Sequence, residues 1–525
     1  MTNEIERMIK MNIIRIAFAF FLIATFSCKM DPDKGFEKPN IVYIMTDDHA
    51  YQAISCYNGE LNQTPNIDRI ANEGVMFVNS FVTNSICAPS RAVMLTGKFS
   101  HQNHQRLNSQ KFDSSQMTFP KLLQKAGYQT AMVGKWHLGS EPTGFDYWNI
   151  LPGQGDYYNP NFIEMGVNKR VEGYVTNLIT DAAIDWLDSR NKDKPFCLLL
   201  HHKAPHRCWM PDTAYLDMYN DIKFPLPDNF YDDYDGRQAA AEQRMHMNDF
   251  CPVNDLKMLD KEGEIQGPLR KFFERQISRM NEAQRAAWDK AYAKEIEYYK
   301  EANLAGKDLL QWNYQRYLED YLRCIASVDD NIGRVLDYLD ENELTSNTLI
   351  VYTSDQGFYL GEHGWFDKRF MYEESLRTPL VMKLPSTINK GKINKLVQNI
   401  DYAPTFLDLA GVDIPDDMQG ESMLPLIKGD KEIDWRKSVY YHYYEYPGPH
   451  SVKRHYGVRN ERFKLIHFYH DIDQWELYDL QKDPGEVNNL YGQKEYEEVT
   501  KSLYNQLLVL QRQYNDTTVV DIDSN

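Results

Sequence analysis

The sequence predicts an α/β protein: a mostly parallel sheet flanked by helices on both faces, followed by a smaller antiparallel subdomain. Three observations predict this. Asn40 to Met45, Phe196 to Leu200 and Thr348 to Thr353 are short, continuous apolar and β-branched runs, the pattern of strands buried on both faces. Helical stretches separate them. Past Gly420 the alternation gives way to short strands joined by turns.

At 525 residues the chain can bury a large core. It opens on a segment that reads as an export signal. Lys10 and Arg15 flank an apolar run from Ile16 to Phe26, too short to span a bilayer comfortably, which meets Ser27-Cys28. A small residue before a cysteine at that point resembles a bacterial lipoprotein cleavage site. Residues 1–28 are then a signal peptide, and lipid on Cys28 would hold the protein at a membrane, in the periplasm or at the cell surface. The alternative is a plain signal peptide with Cys28 incidental.

The first strand ends in Thr46-Asp47-Asp48-His49, the Phe196 strand in His201-His202-Lys203-Ala204-Pro205-His206, and the Thr348 strand in Ser354-Asp355-Gln356-Gly357. Ligands of such sheets bind outside the carboxyl ends of the strands, so these distant motifs can share one pocket. Asp228 to Pro268 is polar, acidic and aperiodic. It reads either as an insertion that shapes a cleft or as a solvated loop. Met280 to Ala302 is charged and alanine-rich. Trp312 to Leu344 repeats Tyr317, Tyr321, Ile325, Val328, Ile332 and Val335 at helical spacing. These elements place the α/β domain at 36–420. Ser438 to Tyr446, Tyr456 to Arg459, Phe463 to Tyr469 and Trp475 to Leu480 are the later strands. Glu495 to Gln513 is a final helix, and 421–525 forms an α+β subdomain.

Charge excludes one class of partner. With 58 basic and 76 acidic residues the net charge is −18, which argues against nucleic acid. A small anion remains compatible, because a few focused cations in a cleft outweigh a distant negative surface. The 35 tyrosines serve mostly as packing residues. Seven cysteines show neither a disulfide framework nor a zinc pattern.

Asp47, Asp48 and Asp355 with the amide of Gln356 offer hard oxygen donors, the preference of Ca²⁺ or Mg²⁺. Around them stand cations and histidines: Lys135 and His137 in Gly134-Lys135-Trp136-His137, Lys203 and His206, and Lys368 before Arg369. Their chemistry suits an anion whose oxygens gain charge during transfer. Cys87-Ala88-Pro89-Ser90-Arg91 with Leu95-Thr96-Gly97 completes the set.

These motifs, in this order, resemble the type I sulfatases, whose motif cysteine is oxidised to formylglycine. The resemblance runs from Asn40 to Asp479-Leu480-Gln481-Lys482-Asp483-Pro484-Gly485-Glu486. It implies an alkaline-phosphatase-like fold, sulfuric ester hydrolysis and one Ca²⁺. Asp47, Asp48, Asp355 and Gln356 would ligate the ion, with the modified Cys87 completing the sphere. Many members have asparagine where Gln356 stands. The resemblance also implies that Arg91 holds the aldehyde hydrate and that Lys135, His137, His206 and Lys368 bind sulfate. A formylglycine-generating enzyme would be a partner. One hydrate hydroxyl would attack sulfur and the other expel sulfate.

Ser354 to Ser375 resembles bacterial glycan sulfatases of the N-acetylglucosamine-6-O-sulfatase type, which implies an exo-acting pocket for a sulfated glycan. Glu362, His363, Trp365, Arg369, Arg207, Trp209, His450 and His455 could line the sugar subsite, or serve packing instead. The rival readings are a sulfatase of other position, a phosphodiesterase or phosphonate hydrolase of the same superfamily, and a lipoprotein that binds sulfated glycan without cleaving it.

Overall fold

The computed structural model describes residues 38–384, 388, 390–430 and 432–517, so the expected export segment and Cys28 lie outside the described residues. Ten strands form the main sheet: β1 (Asn40–Thr46), β2 (Val75–Phe77), β3 (Gln129–Lys135), β4 (Tyr147–Leu151), β5 (Asn161–Glu164), β6 (Val167–Arg170), β7 (Phe196–His201), β8 (Thr348–Ser354), β9 (Leu380–Lys383) and β10 (Gly391–Ile393). Their spatial order is β10-β2-β9-β8-β1-β7-β3-β4-β5-β6. The middle five, β8-β1-β7-β3-β4, are parallel, and the antiparallel pairings lie toward the two edges.

Alternation along β1 splits the core into two layers. Val42 and Ile44 face α3 (Val175–Ser189) and α5 (Gly306–Glu341). Ile41, Tyr43 and Met45 face α1 (Cys87–Thr96), α2 (Phe119–Lys125) and α6 (Tyr402–Leu409). The six predicted core positions of the long helix are all buried, and the helix starts at Gly306, earlier than the periodicity suggested. The helix expected from Met280 is α4 (Glu282–Glu301). Asn281 accepts from the Gln284 amide and Gln284 returns the bond, a reciprocal cap that fixes its start.

Residues 228–268 are not a solvated loop. Met245, Met247, Val253, Leu256 and Met258 lie in the core, on and between short helical turns. The acidic residues that hid this from the sequence are consumed in pairs: Asp255 with Arg207, Asp232 with Arg237 and His363, and Asp260 with Arg270.

A second, antiparallel sheet holds β11 (Ser438–Tyr443), β12 (His455–Asn460), β13 (Phe463–Phe468) and β14 (Gln474–Asp479) in sequential order. Helix α7 (Glu497–Gln513) covers one face through Leu503, Leu507 and Leu510. The other face, with Tyr441, Ile466, Phe468 and Tyr478, packs on Trp365, Phe370 and Tyr372 of the first domain. Both sheets belong to one compact unit that begins at Pro39.

Glu476 on β14 is fully buried and accepts from the hydroxyls of Tyr372 and Tyr478, each at 2.8 Å. Burial pushes its carboxyl up to about 7, the two tyrosines only partly offsetting this. The folded state therefore binds more protons than the unfolded chain between the ordinary glutamate value and pH 7. Stability falls as pH rises through that window, by about 3 kcal/mol once the group is ionised. Glu476→Gln is expected to flatten this part of the stability–pH curve, read from denaturant midpoints at a series of pH values.

Candidate active site

Register brings the motifs together. Thr46 pairs with Ser354, Met45 with His201, and Gly134 with His201, so the residues that follow β1, β8, β7 and β3 leave the sheet side by side. Adjacent aspartates on a strand would point to opposite faces. Asp48 instead has φ of 67°, in the left-handed region, and the turn carries both carboxylates to one place. His137, Asp367 and Arg369 are also left-handed, so non-glycine strain clusters around this pocket. A side chain at Gly357 would strike the carbonyls of Glu374 and Arg377 at 2.1 and 2.4 Å. Its absence lets the chain leaving β8 lie against the segment that carries Lys368.

Cys87 is the first residue of α1 and has no exposed surface. Pro89 in that first turn lacks an N–H the helix could not have used, and Gly97 closes the helix in a left-handed cap onto Val93 O. The Cys87 thiol donates to Asp47 Oδ1 at 3.3 Å and lies 3.6 Å from Gln356 Nε2. Burial pushes the thiol up to about 12. Unmodified, Cys87 is therefore a protonated, weakly nucleophilic group at neutral pH.

Asp47, Asp48 and Asp355 are fully buried, and each offers an oxygen within 4.8 Å of the others. Lys135 pairs with Asp47. Lys368 Nζ bonds both Asp48 oxygens at 2.7 and 2.8 Å. Arg91 donates from Nε and Nη2 to Asp355 Oδ2 at 3.0 and 2.9 Å. Arg91 also bonds Lys135 O, tying α1 to β3. Burial lifts Asp48 to about 6, against the pull of Lys368. Burial would lift Asp355 too, but Arg91, then Lys135 and Lys368, hold it below the ordinary range. Burial pushes Lys135 well below a normal lysine, while Asp48 and its neighbours raise Lys368 despite burial.

The donor set fits a hard divalent cation: three buried carboxylates, with no thioether and no imidazole among the four motif residues. Gln356 adds a second sign. Its Oε1 is buried without a hydrogen-bond partner, while its Nε2 bonds Asp48 Oδ1. A half-turn of the amide would present an oxygen to the carboxylates.

His206 bonds the Arg207 carbonyl through Nδ1 at 2.6 Å and lies 3.8 Å from Asp48 Oδ2 through Nε2. Burial, with Lys135 and Lys368 nearby, holds it well below the ordinary histidine value. His137 is lowered in the same way, first by burial and then by Lys135, and its Nδ1 has no partner. All six expected catalytic residues thus meet at the strand ends.

The expected sugar-facing residues divide into two groups. Arg369 pairs with Asp367, whose other oxygen lies 3.1 Å from His450 Nε2, and Arg207 forms a two-point pair with Asp255 at 2.7 and 2.6 Å. These three lie beside Lys368 and His206. Trp365, His363, Trp209 and His455 are fully buried and turn toward other side chains. Trp365 stacks on Tyr234, Phe370 and Tyr372. His363 is ion-paired with Asp232. Trp209 packs on Tyr317, and His455 accepts from the Met371 N–H. Glu362 turns inward to Gln52 and the Leu360 N–H. For these five the packing role replaces the sugar-facing one.

The sequence reading missed several supports. Ser90 Oγ donates to the Asp355 carbonyl and accepts from Asn399. Asp367 and Asp255 orient the outer cations. Asp367 is two residues from Arg369 and could have been suspected. Asp255 and Asn399 are remote in sequence and carried no signal.

Fold and site together define a hydrolase built to bind a sulfate or phosphate group over buried acids. A sulfatase family profile matches residues 39–412, and a profile described as N-sulphoglucosamine sulphohydrolase, C-terminal, matches 361–513. The chain belongs to the sulfatase family and is a sulfuric ester hydrolase. It is 50% identical over 524 residues to an N-acetylglucosamine-6-O-sulfatase of Bacteroides thetaiotaomicron, covering 98% of this chain and 94% of that one. A solved structure of a protein in complex with its substrate D-glucosamine-2-N,6-O-disulfate superposes with a TM-score of 0.89. It is 52% identical and covers 92% of this chain and 99% of that one. A phosphonate monoester hydrolase of Agrobacterium radiobacter, 18% identical with a TM-score of 0.66 over 92% and 97% of the two chains, shares the fold alone.

Proposed function

We propose that the protein removes the 6-O-sulfate from glucosamine or N-acetylglucosamine residues at the ends of sulfated glycans, through a formylglycine made from Cys87. The observation that carries this is the identity, over nearly the whole chain, to an N-acetylglucosamine-6-O-sulfatase. The motif at Cys87–Arg91, the buried acids and the outer ring of Arg207, Arg369 and His450 are consistent with it.

Asp47, Asp48, Asp355 and Gln356 would hold Ca²⁺, which when bound neutralises sulfate oxygens as a Lewis acid. By formal charge, Arg91, Lys135 and Lys368 balance the three carboxylates. A divalent cation and the sulfate dianion released at the end of turnover therefore cancel. A hydrated aldehyde at residue 87 would supply one hydroxyl to attack sulfur and a second to expel the sulfate. At the head of α1 that attacking oxygen faces the positive end of the helix, which stabilises it as it ionises. Lys135, His137 and Lys368 bind the sulfate oxygens, and Lys368 Nζ, or His206 Nε2 once the bound anion has let it take up a proton, delivers a proton to the departing sugar oxygen. Arg207, Arg369 and His450 orient the ring. The protein is exported, and lipid on Cys28 anchors it.

Two measurements test this. Peptide mass spectrometry over residue 87 should find the aldehyde after expression with a formylglycine-generating enzyme. Turnover of glucosamine sulfated singly at N2, O3, O4 or O6 should be confined to O6, and preference for another position would replace the assignment.

A further inference from the structure

A cavity of about 530 Å³ opens on the second sheet, between β14 and the start of α7. Trp475, Tyr491 and Tyr504 line it, with Lys494, Lys501 and Glu497. It lies across the sheet from the active-site segment. Leu465 belongs to the α7 side, whereas Ile466 and Phe468, one face over, pack toward Phe370 and Tyr372.

The aromatic wall is flat and fixed. Trp475 and Tyr491 are 15° from parallel with centroids 5.9 Å apart. Behind Trp475, His467 stacks at 4.0 Å and 6°. That histidine is itself held by the Tyr456 hydroxyl at 2.6 Å and Asp473 at 2.8 Å. Tyr491 and Tyr504 remain 42% and 39% exposed. Rigid aromatic faces left to water at one spot mark a binding surface.

Charge says which occupant. The chain carries a net −18, yet two exposed lysines flank this wall, and among the described residues neither Lys494 nor Lys501 makes an ion pair or a side-chain hydrogen bond. The opposing Glu497 sits in the first turn of α7, where the helix terminus answers its charge. An anionic ligand with flat apolar faces satisfies both features.

We propose that this cavity is a second glycan-binding site, where pyranose rings of a sulfated chain stack on Tyr491 and Tyr504 and their sulfates meet Lys494 and Lys501. The proposal rests on the reading that the substrate is a sulfated glycan. Such a site holds a polymer on the enzyme and raises its effective concentration at the catalytic pocket.

The test is calorimetric titration of a Cys87→Ala protein with a sulfated glucosamine-containing oligosaccharide, in excess glucosamine-2-N,6-O-disulfate to fill the active site. Tyr491→Ala, and separately Lys494→Ala with Lys501→Ala, should each weaken binding about fivefold, the loss of one stacking or ionic contact. In the Cys87-containing enzyme the same changes should leave turnover of the monosaccharide disulfate unaltered. Unchanged affinity in both variants overturns the proposal, as does equal binding of the desulfated oligosaccharide. The lysine pair is exposed, so it keeps the test open if Tyr491→Ala perturbs the fold. Wild-type turnover of the monosaccharide with no oligosaccharide binding sinks the second site alone. Absence of both sinks the glycan reading.

Discussion

Replacing Cys87 with alanine is expected to lower sulfate ester hydrolysis by at least about 10⁴-fold, because the nucleophile and its partners act as a unit. The fold should survive. Cys87 sits in a fully buried helix that is held by the Gly97 cap, by Arg91 on Lys135 O, and by Ser90 on Asp355 O. Loss of one sulfur from that setting costs about 1 kcal/mol. Initial rates on a 6-O-sulfated monosaccharide, paired with a thermal melt, check both halves. Residual hydrolysis above a few per cent would remove residue 87 from the chemistry, whatever the fate of the fold.

Asp355→Asn should damage both function and stability. The carboxylate receives Arg91 twice, accepts the Asp48 N–H at 3.1 Å, and stands among the proposed cation ligands. Its neutralisation leaves Arg91 buried with a weakened partner, a change that costs about 3–5 kcal/mol when a buried pair is broken. A bound cation adds stability by mass action, about 2.7 kcal/mol at a hundredfold excess over its dissociation constant. A chelator should therefore lower the melting temperature of the wild type and leave that of Asp355→Asn unmoved. If the chelator shifts both proteins equally, Asp355 is not a ligand.

The strands that deliver the site were legible because β1, β7 and β8 are buried on both faces and so read as unbroken apolar runs. Their polar endings were legible for the same reason, since a charge directly after such a run must sit at the sheet's edge. The outer wall was harder to read. Trp365 and His363 stand in the same short stretch as Lys368 and Arg369, and an aromatic–histidine pair looks alike whether it meets a sugar or other rings. It meets rings here, Phe370 and Tyr372 nearby and Tyr234 from a distant segment that only the fold brings alongside. Residues 228–268 misled for a related reason. Their carboxylates suggested solvent, and their partners Arg207, Arg237 and Arg270 are set against them only by the fold.

The complete burial of the Cys87 sulfur has a consequence for the order of events in the cell. An oxidising enzyme would have to bring its own reactive centre into contact with that thiol, which has no exposed surface in the folded chain. Conversion of Cys87 is therefore expected to be faster on the open polypeptide, before β1 and β8 close over the head of the helix. A molecule that folds first would be a poor substrate for that enzyme.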